Sequence, residues 1–451
     1  NFQIDVVSDE HPKIIVKSDI DSISRGPVQF MGQLSDDYGL KRLQLVYYNK
    51  LEPTRLKTHE IKILKSSFTD FYYVFPNDIL IDEGVNYELY FEVFDNDAVN
   101  GSKKTKSRIF NYYNKTEKEL KEELLKEQKE TISSFSKTLE KSKQSNAEVE
   151  KFKNELQKKA EINWNDTKKL EKFVKRQSQY QEMFKKQTDQ LEKNLSEQPN
   201  IESLSEKKED LKKRIEETKK LADQEKMLKE LDELSKKIDK EELTKKLNEL
   251  AKKNKQNQQS LERILELTKR FYVEQKANQI SEKLNELAKK EDELSKKDDE
   301  NNTSEKQEKI NKEFDQIKKD FNELEKQNKD LKRPMKLPEN SEEKEEIDKD
   351  LNDALEELNK EEESESEVEN KSNKSKAKKS QKSAAKKMKQ LSKSMEQSME
   401  AMEGESIDEN IEDLRKIVEN LIGFSFQQED LLENISKIDN NHPKFPENLK
   451  E

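Results

Sequence analysis

Only two glycines, Gly404 and Gly423, follow Gly101 in a chain of 451 residues. Glycine supplies the positive-φ positions that tight turns and hairpins need. A long stretch almost without it can hardly be a β-rich globule, and a helical array is what remains. The apolar spacing agrees. From Lys115 onward it changes to about 3.5 residues, as in Leu120, Leu124, Ile132, Phe135 and Leu139. Leu170, Phe173, Val174, Tyr180, Phe184 and Leu191 continue it.

The first 114 residues are different. They hold 17 of the 30 aromatic side chains and five of the seven glycines. Short runs such as KIIVK, PVQFMGQL, LKRLQLVYYN, FTDFYYVFP and VNYELYFEVFD alternate with the turn clusters SDDYG, LEPT and DNDAVNG. Such regularly spaced strands predict an Ig-like β-sandwich over 1–114. In VNYELYFEVF, Tyr87, Leu89, Phe91 and Val93 share one face and Tyr90 and Phe94 the other, which suits a central strand.

The expected fold class is therefore β plus α: the sandwich, then long helices in coiled-coil or helical-bundle segments with disordered linkers. A helical hairpin is expected over 115–198, turning near 163–166. Asn163-Trp164-Asn165-Asp166 has the residues of a helix cap, and Trp164 is expected to pack at that corner. Pro199 ends the second helix. Long helices are expected over 200–330, with a break at Asp239. Pro334 and Pro338 mark a linker, and 331–385 is read as low-complexity and charged. There EEESESEVE and KSNKSKAKKSQK have the composition of solvated, disordered blocks. A C-terminal helical hairpin over 386–438 and a tail over 439–451 complete the layout. KLNELAKK occurs at 246–253 and again at 283–290, which biased composition explains better than a repeat.

One stretch breaks the polar monotony. In LERILELTKRFYVEQKANQI, 261–280, Leu261, Ile264, Leu265, Leu267, Phe271 and Tyr272 cover an arc of roughly 160° on a helix, with Val273 outside it. That is wider than a two-stranded seam, so this segment should touch more than one neighbour. Met388, Leu391, Met395, Met399 and Met402 form a second apolar face. Ile411, Leu414, Val418, Leu421 and Leu432 form a third, widened by Ile417, Ile422, Phe424 and Phe426. Core packing is the preferred reading of the first two. If any is exposed instead, Phe271, Tyr272, Met395, Met399, Met402, Phe424 and Phe426 are the candidates for binding a partner.

Catalytic chemistry has little to build on. The chain has no cysteine, and its three histidines, His11, His59 and His442, lie far apart in sequence. No glycine-rich phosphate loop is present. Asp95, Asn96, Asp97 and Gly101 could suggest calcium, but the acidic residue that would close the site is missing, and a turn bonding its own backbone is preferred. Asp36-Asp37-Tyr38-Gly39 is read the same way. No catalytic residue, cofactor or metal is expected. A net charge of −11 argues against a dedicated nucleic-acid binder. No apolar run approaches a membrane span. The chain starts at Asn1 close to a strand-like segment, so it reads as a fragment or processed product.

SDDYGLKRLQLVYYN, YELYFEVFDNDAVNG, NWND, RFYVEQK and LIGFSFQQEDLL together resemble a family of large membrane-anchored envelope proteins of Bacteroidota, known only as a domain of unknown function. The resemblance implies an Ig-like domain before a long helical region, and a periplasmic location. It also implies an inner-membrane anchor upstream of this chain. It carries no activity and no catalytic residues. Two functions follow as expectations. One is a non-catalytic scaffold binding protein partners, itself included. The other is a chaperone-like or secretion-accessory binder that exposes its Met-rich and aromatic faces to clients.

Overall fold

The computed structural model describes residues 9–21, 25–97, 101–159, 163–222, 225–237, 240–298, 301–338, 340–363 and 367–437. The chain divides into two compact units, Asn1–Lys126 and Glu127–Glu451.

Among the described residues, the first unit holds eight strands in two antiparallel sheets. β1 (Lys13–Ser18), β2 (Val28–Ser35) and β5 (Phe68–Phe75) form one sheet in the order β1-β2-β5. β3 (Leu40–Asn49), β4 (Lys57–Ile61), β6 (Val85–Asp95) and β7 (Lys104–Lys106) form the other in the order β4-β3-β6-β7. β8 (Phe110–Asn114) also pairs with β6. Strict alternation along β2 turns Val28, Phe30 and Leu34 inward, as the two-residue period of a strand requires. They meet Phe71 and Phe75 of β5, Leu45 of β3, and Leu89 and Phe91 of β6 in one core to which both sheets contribute. Phe30 and Phe91 pack edge to face with centroids 5.2 Å apart.

β6 is apolar on both faces because both are covered. Tyr87, Leu89, Phe91 and Val93 enter the core. On the outer face the Arg42 guanidinium lies 4.1 Å from the centre of the Phe94 ring, and the Lys106 ammonium 4.6 Å from that of Tyr90. Glu92 is buried between them, 3.3 Å from Lys104 and 3.4 Å from Lys106. Burial pushes its carboxyl up, but bonds from Gln44, Lys104 and Lys106 outweigh this and hold it below the usual range.

The helices are α1 (Glu117–Lys158), α2 (Trp164–Glu197), α3 (Ser205–Ala222), α4 (Glu225–Lys237), α5 (Lys240–Lys296), α6 (Ser304–Lys329), α7 (Ser341–Glu363) and α8 (Glu367–Lys437). A 3-10 turn, Glu202–Leu204, precedes α3. α1 begins in the first unit and continues into the second. In the second unit α1 and α2 are held by Phe135 against Phe184, centroids 4.8 Å apart. The Gln187 amide donates to Ser134 Oγ and Thr138 Oγ1, both at 2.9 Å. Asn163 caps α2 reciprocally: Asn163 Oδ1 accepts from the Asp166 N–H, and Asp166 Oδ2 from the Asn163 N–H, each at 3.1 Å.

α5, α6, α7 and α8 pack in a ring: α5 against α6 and α8, α7 against α6 and α8. Each helix brings a stripe spaced three and four residues apart. Ala277, Ile280, Leu284, Leu287 and Leu294 come from α5, and Ile310, Phe314, Ile317, Phe321 and Leu324 from α6. Ile347, Leu351, Ala354 and Leu358 come from α7, and Ala377, Ala384, Met388, Leu391 and Met395 from α8.

Four sequence expectations are corrected here. Trp164 is 70% exposed and packs at no corner; the Asn163–Asp166 cap sets the corner without it. Residues 331–385 are not a linker throughout, since α7 and the start of α8 fall inside them. Nor is the basic block at 371–382 disordered. Ala377 and Gln381 sit at core spacing on α8 and are fully buried, so the lysines ride on an anchored helix. The described residues of 386–438, up to Lys437, form no hairpin, because α8 passes Gly404 without a break. A helix tolerates one interior glycine at a cost of roughly 1 kcal/mol. The residues of 439–451 lie outside the described ones.

Candidate interaction surfaces

From Phe271 to Ile280 the 261–280 stretch is buried on nearly every side, whereas Arg263 is exposed and Leu267 half-buried. Phe271, Tyr272, Val273, Ala277 and Ile280 are all in the core. The segment touches more than one neighbour, as expected: α3 packs on α5 as well as α6 and α8, and Val273, outside the apolar arc, is covered too. Polar residues of this segment are buried too. Gln275 Nε2 donates to Gln198 Oε1 at 2.6 Å. Lys276 and Lys283 each donate to Asp320 of α6 at 3.0 Å. Burial raises the Asp320 carboxyl, yet Lys276 and Lys283 outweigh it and hold the group below its ordinary range. Burial, with the charges of Glu323 and Asp320, pushes the Tyr272 hydroxyl far up. It stays neutral and serves packing.

The partner-binding candidates divide accordingly. Phe271, Tyr272 and Met395 are withdrawn, because the chain's own helices cover them. Met399 is half-buried. The side chains of Met402, Phe424 and Phe426 lie outside the described residues. On the same stretch of α8, Val418 is 52% and Ile422 50% exposed.

The two acidic turns read for calcium come together. The Asn96 N–H donates to the Gly39 carbonyl at 3.0 Å, and Asn96 Nδ2 to the Tyr38 carbonyl at 3.1 Å. Their carboxylates bind backbone: Asp36 Oδ2 accepts from the Gly39 N–H at 2.8 Å, and Asp95 Oδ1 from the Lys103 N–H at 2.8 Å. The Lys103 ammonium sits 2.6 Å from Asp9 Oδ2. Among the described residues no three acidic or histidine groups converge as a metal site.

Sequence reasoning missed two features. The first is a buried polar cluster at one level of the ring. Gln307 Nε2 donates to Glu291 Oε1 at 3.0 Å, and Gln381 Nε2 to Gln307 Oε1 at 2.7 Å. Asn302 and Gln381 exchange two bonds of 2.9 Å. Glu291 is fully buried and its Oε2 has no hydrogen-bond partner. Burial pushes the carboxyl up to about 8, against a smaller lowering by Gln307. The signal was there to read: a glutamate at a position where the three-four spacing demands a leucine. The second is the outer face of the three-stranded sheet. Met31 stands opposite Tyr72 in register, with Ile15 a diagonal step away. They are 60%, 57% and 61% exposed.

No family model matches this sequence, and no curated protein or solved structure matches it either.

Proposed function

We propose that the chain is a non-catalytic scaffold of a bacterial cell envelope, binding protein partners through fixed surfaces. We read its first unit as an Ig-like sandwich and its helices as coiled-coil and bundle segments. The Ile15, Met31 and Tyr72 patch carries this reading. Three large apolar side chains, neighbours across the strands, are left in water on a rigid sheet, which is the composition of a contact surface. The burial of Met388, Leu391 and Met395 gives further support, since it removes the adaptable face that a client binder would use. Val418 and Ile422 favour the second reading, a chaperone-like binder, because they leave apolar surface on a helix. An upstream membrane anchor and a periplasmic position belong to the same proposal and rest on the family resemblance alone.

A photocrosslinking residue in place of Met31, in producing cells, separates the two. A scaffold gives one or a few discrete adducts in the envelope fraction. A client binder gives a broad smear, and the purified chain then suppresses aggregation of an unfolded protein. Adducts confined to the cytosolic fraction would remove the envelope assignment.

A further inference from the structure

α8 carries opposite charges on the two halves of one face. Between 370 and 395 it has ten lysines and no acidic residue; between 396 and 413 it has eight acidic residues and no basic one. Its apolar stripe faces the ring, so part of the charge must lie outside. Lys379, Lys382, Lys386, Lys389 and Lys393 are all exposed, spaced three, four, three and four residues apart. None of the five makes an ion pair among the described residues, whereas Lys376 and Lys387, off this stripe, pair with α7 carboxylates. The stripe then changes sign in the same spacing: Glu396 and Glu400 are exposed, and Glu403 is next in sequence. Glu396 also accepts from Ser281 Oγ at 3.2 Å.

Further along, the face is apolar at both ends. At 3.6 residues per turn, Val368, Val418 and Ile422 fall with Lys393 and Glu400 inside an arc of about 40°. Val368 is 80% exposed. Along one face the helix thus reads apolar, basic, acidic, apolar. Turned end for end, the order matches itself with the charges opposed.

We propose that two copies of this chain associate through this face of α8, antiparallel about a two-fold axis passing between Ser394 and Met395. Such an interface is isologous, so every contact occurs twice. The register sets Lys393 on Glu396 of the second copy and Lys389 on Glu400, with position 386 opposite position 403 along the helix. It brings Val368 to within one residue of Ile422. The charge reversal chooses a second copy over other partners, because a nucleic acid or an anionic membrane would meet the acidic half with repulsion. A parallel copy would set lysine on lysine. Exposed ion pairs are individually weak, so the dimer owes its stability to their number and to the apolar ends, and it weakens as salt screens the charges. The proposal concerns a different surface from the sheet patch around Met31, so either can fail alone.

The chain has no cysteine, so engineered ones report without background. The expected result is a disulfide-linked dimer when full-length Lys389→Cys and Glu400→Cys variants are mixed and oxidised. Lys379→Cys with Glu400→Cys should link at least tenfold less. In sedimentation at tens of micromolar, the wild-type chain should dimerise in 50 mM salt and dissociate by 500 mM. Lys386→Glu with Lys389→Glu should be monomeric with unchanged helical circular dichroism. Adding Glu400→Lys and Glu403→Lys to that chain should restore the dimer. A chain that stays monomeric in low salt, or a dimer indifferent to the double reversal, or equal linking of both cysteine pairs, would overturn the proposal.

Discussion

Glu291 shows how much one residue can report. Its carboxyl is buried among Gln307, Gln381 and Asn302, with one oxygen unpartnered. Protonated, it supplies an O–H and carries no charge; ionised, it is a charge in a low-dielectric core. The folded state therefore keeps its proton up to about pH 8, while the unfolded chain releases it near 4.5. Between those two values the folded form binds the extra proton, so stability falls as pH rises through this window. Glu291→Gln retains the shape and cannot ionise. Urea unfolding of both proteins should give nearly equal stability at pH 4.5. At pH 8.5 the variant should be the more stable by a few kcal/mol, since each tenfold difference in proton affinity between folded and unfolded chain is worth at most about 1.4 kcal/mol. An identical difference at both pH values would mean that Glu291 does not titrate in the core. Asp320 is the contrasting case, an ionised carboxylate kept so by two lysines.

At the scale of elements, α8 is the test of what local sequence can hide. Its basic block has the composition of a solvated tail, and its Gly404 invites a turn. Yet Ala377, Gln381, Ala384, Met388, Leu391 and Met395 keep a three-four spacing. Small residues in that stripe let the helix approach its neighbours, which hold it in place. A continuous helix makes a definite prediction. Gly404→Ala should stabilise the chain by about 1 kcal/mol and raise its helical circular dichroism, because alanine loses less backbone entropy in a helix. Were Gly404 the corner of a hairpin with positive φ, the same substitution would destabilise it. The Asn163–Asp166 box is the opposite case, a break written in four residues and formed as written.

For the whole molecule, the two compact units divide after Lys126, a little beyond the last strand. The first unit has its own aromatic core, so residues 1–126 expressed alone should melt cooperatively with β-type circular dichroism plus a small helical contribution. A broad, non-cooperative melt would mean that its stability depends on the helices.

The order of β then α was legible because it rests on local periodicity: two residues in β2 and β6, three to four from α1 onward. Cap and strand faces were legible for the same reason, since Asn163 and Asp166, or Leu89 and Tyr90, lie within a few residues of each other. What the sequence could not determine was which faces are covered. Val273 and Gln275 are buried because helices distant in sequence close around α5. Trp164 stays 70% exposed with only the Lys168 ammonium recorded over its ring, and Met31 60% exposed on the outer face of its sheet, among the described residues. Burial is a property of neighbours, and only the tertiary structure chooses them. It decided which lysines pair, which glutamate stays neutral and which stripe of α8 is left to meet something else.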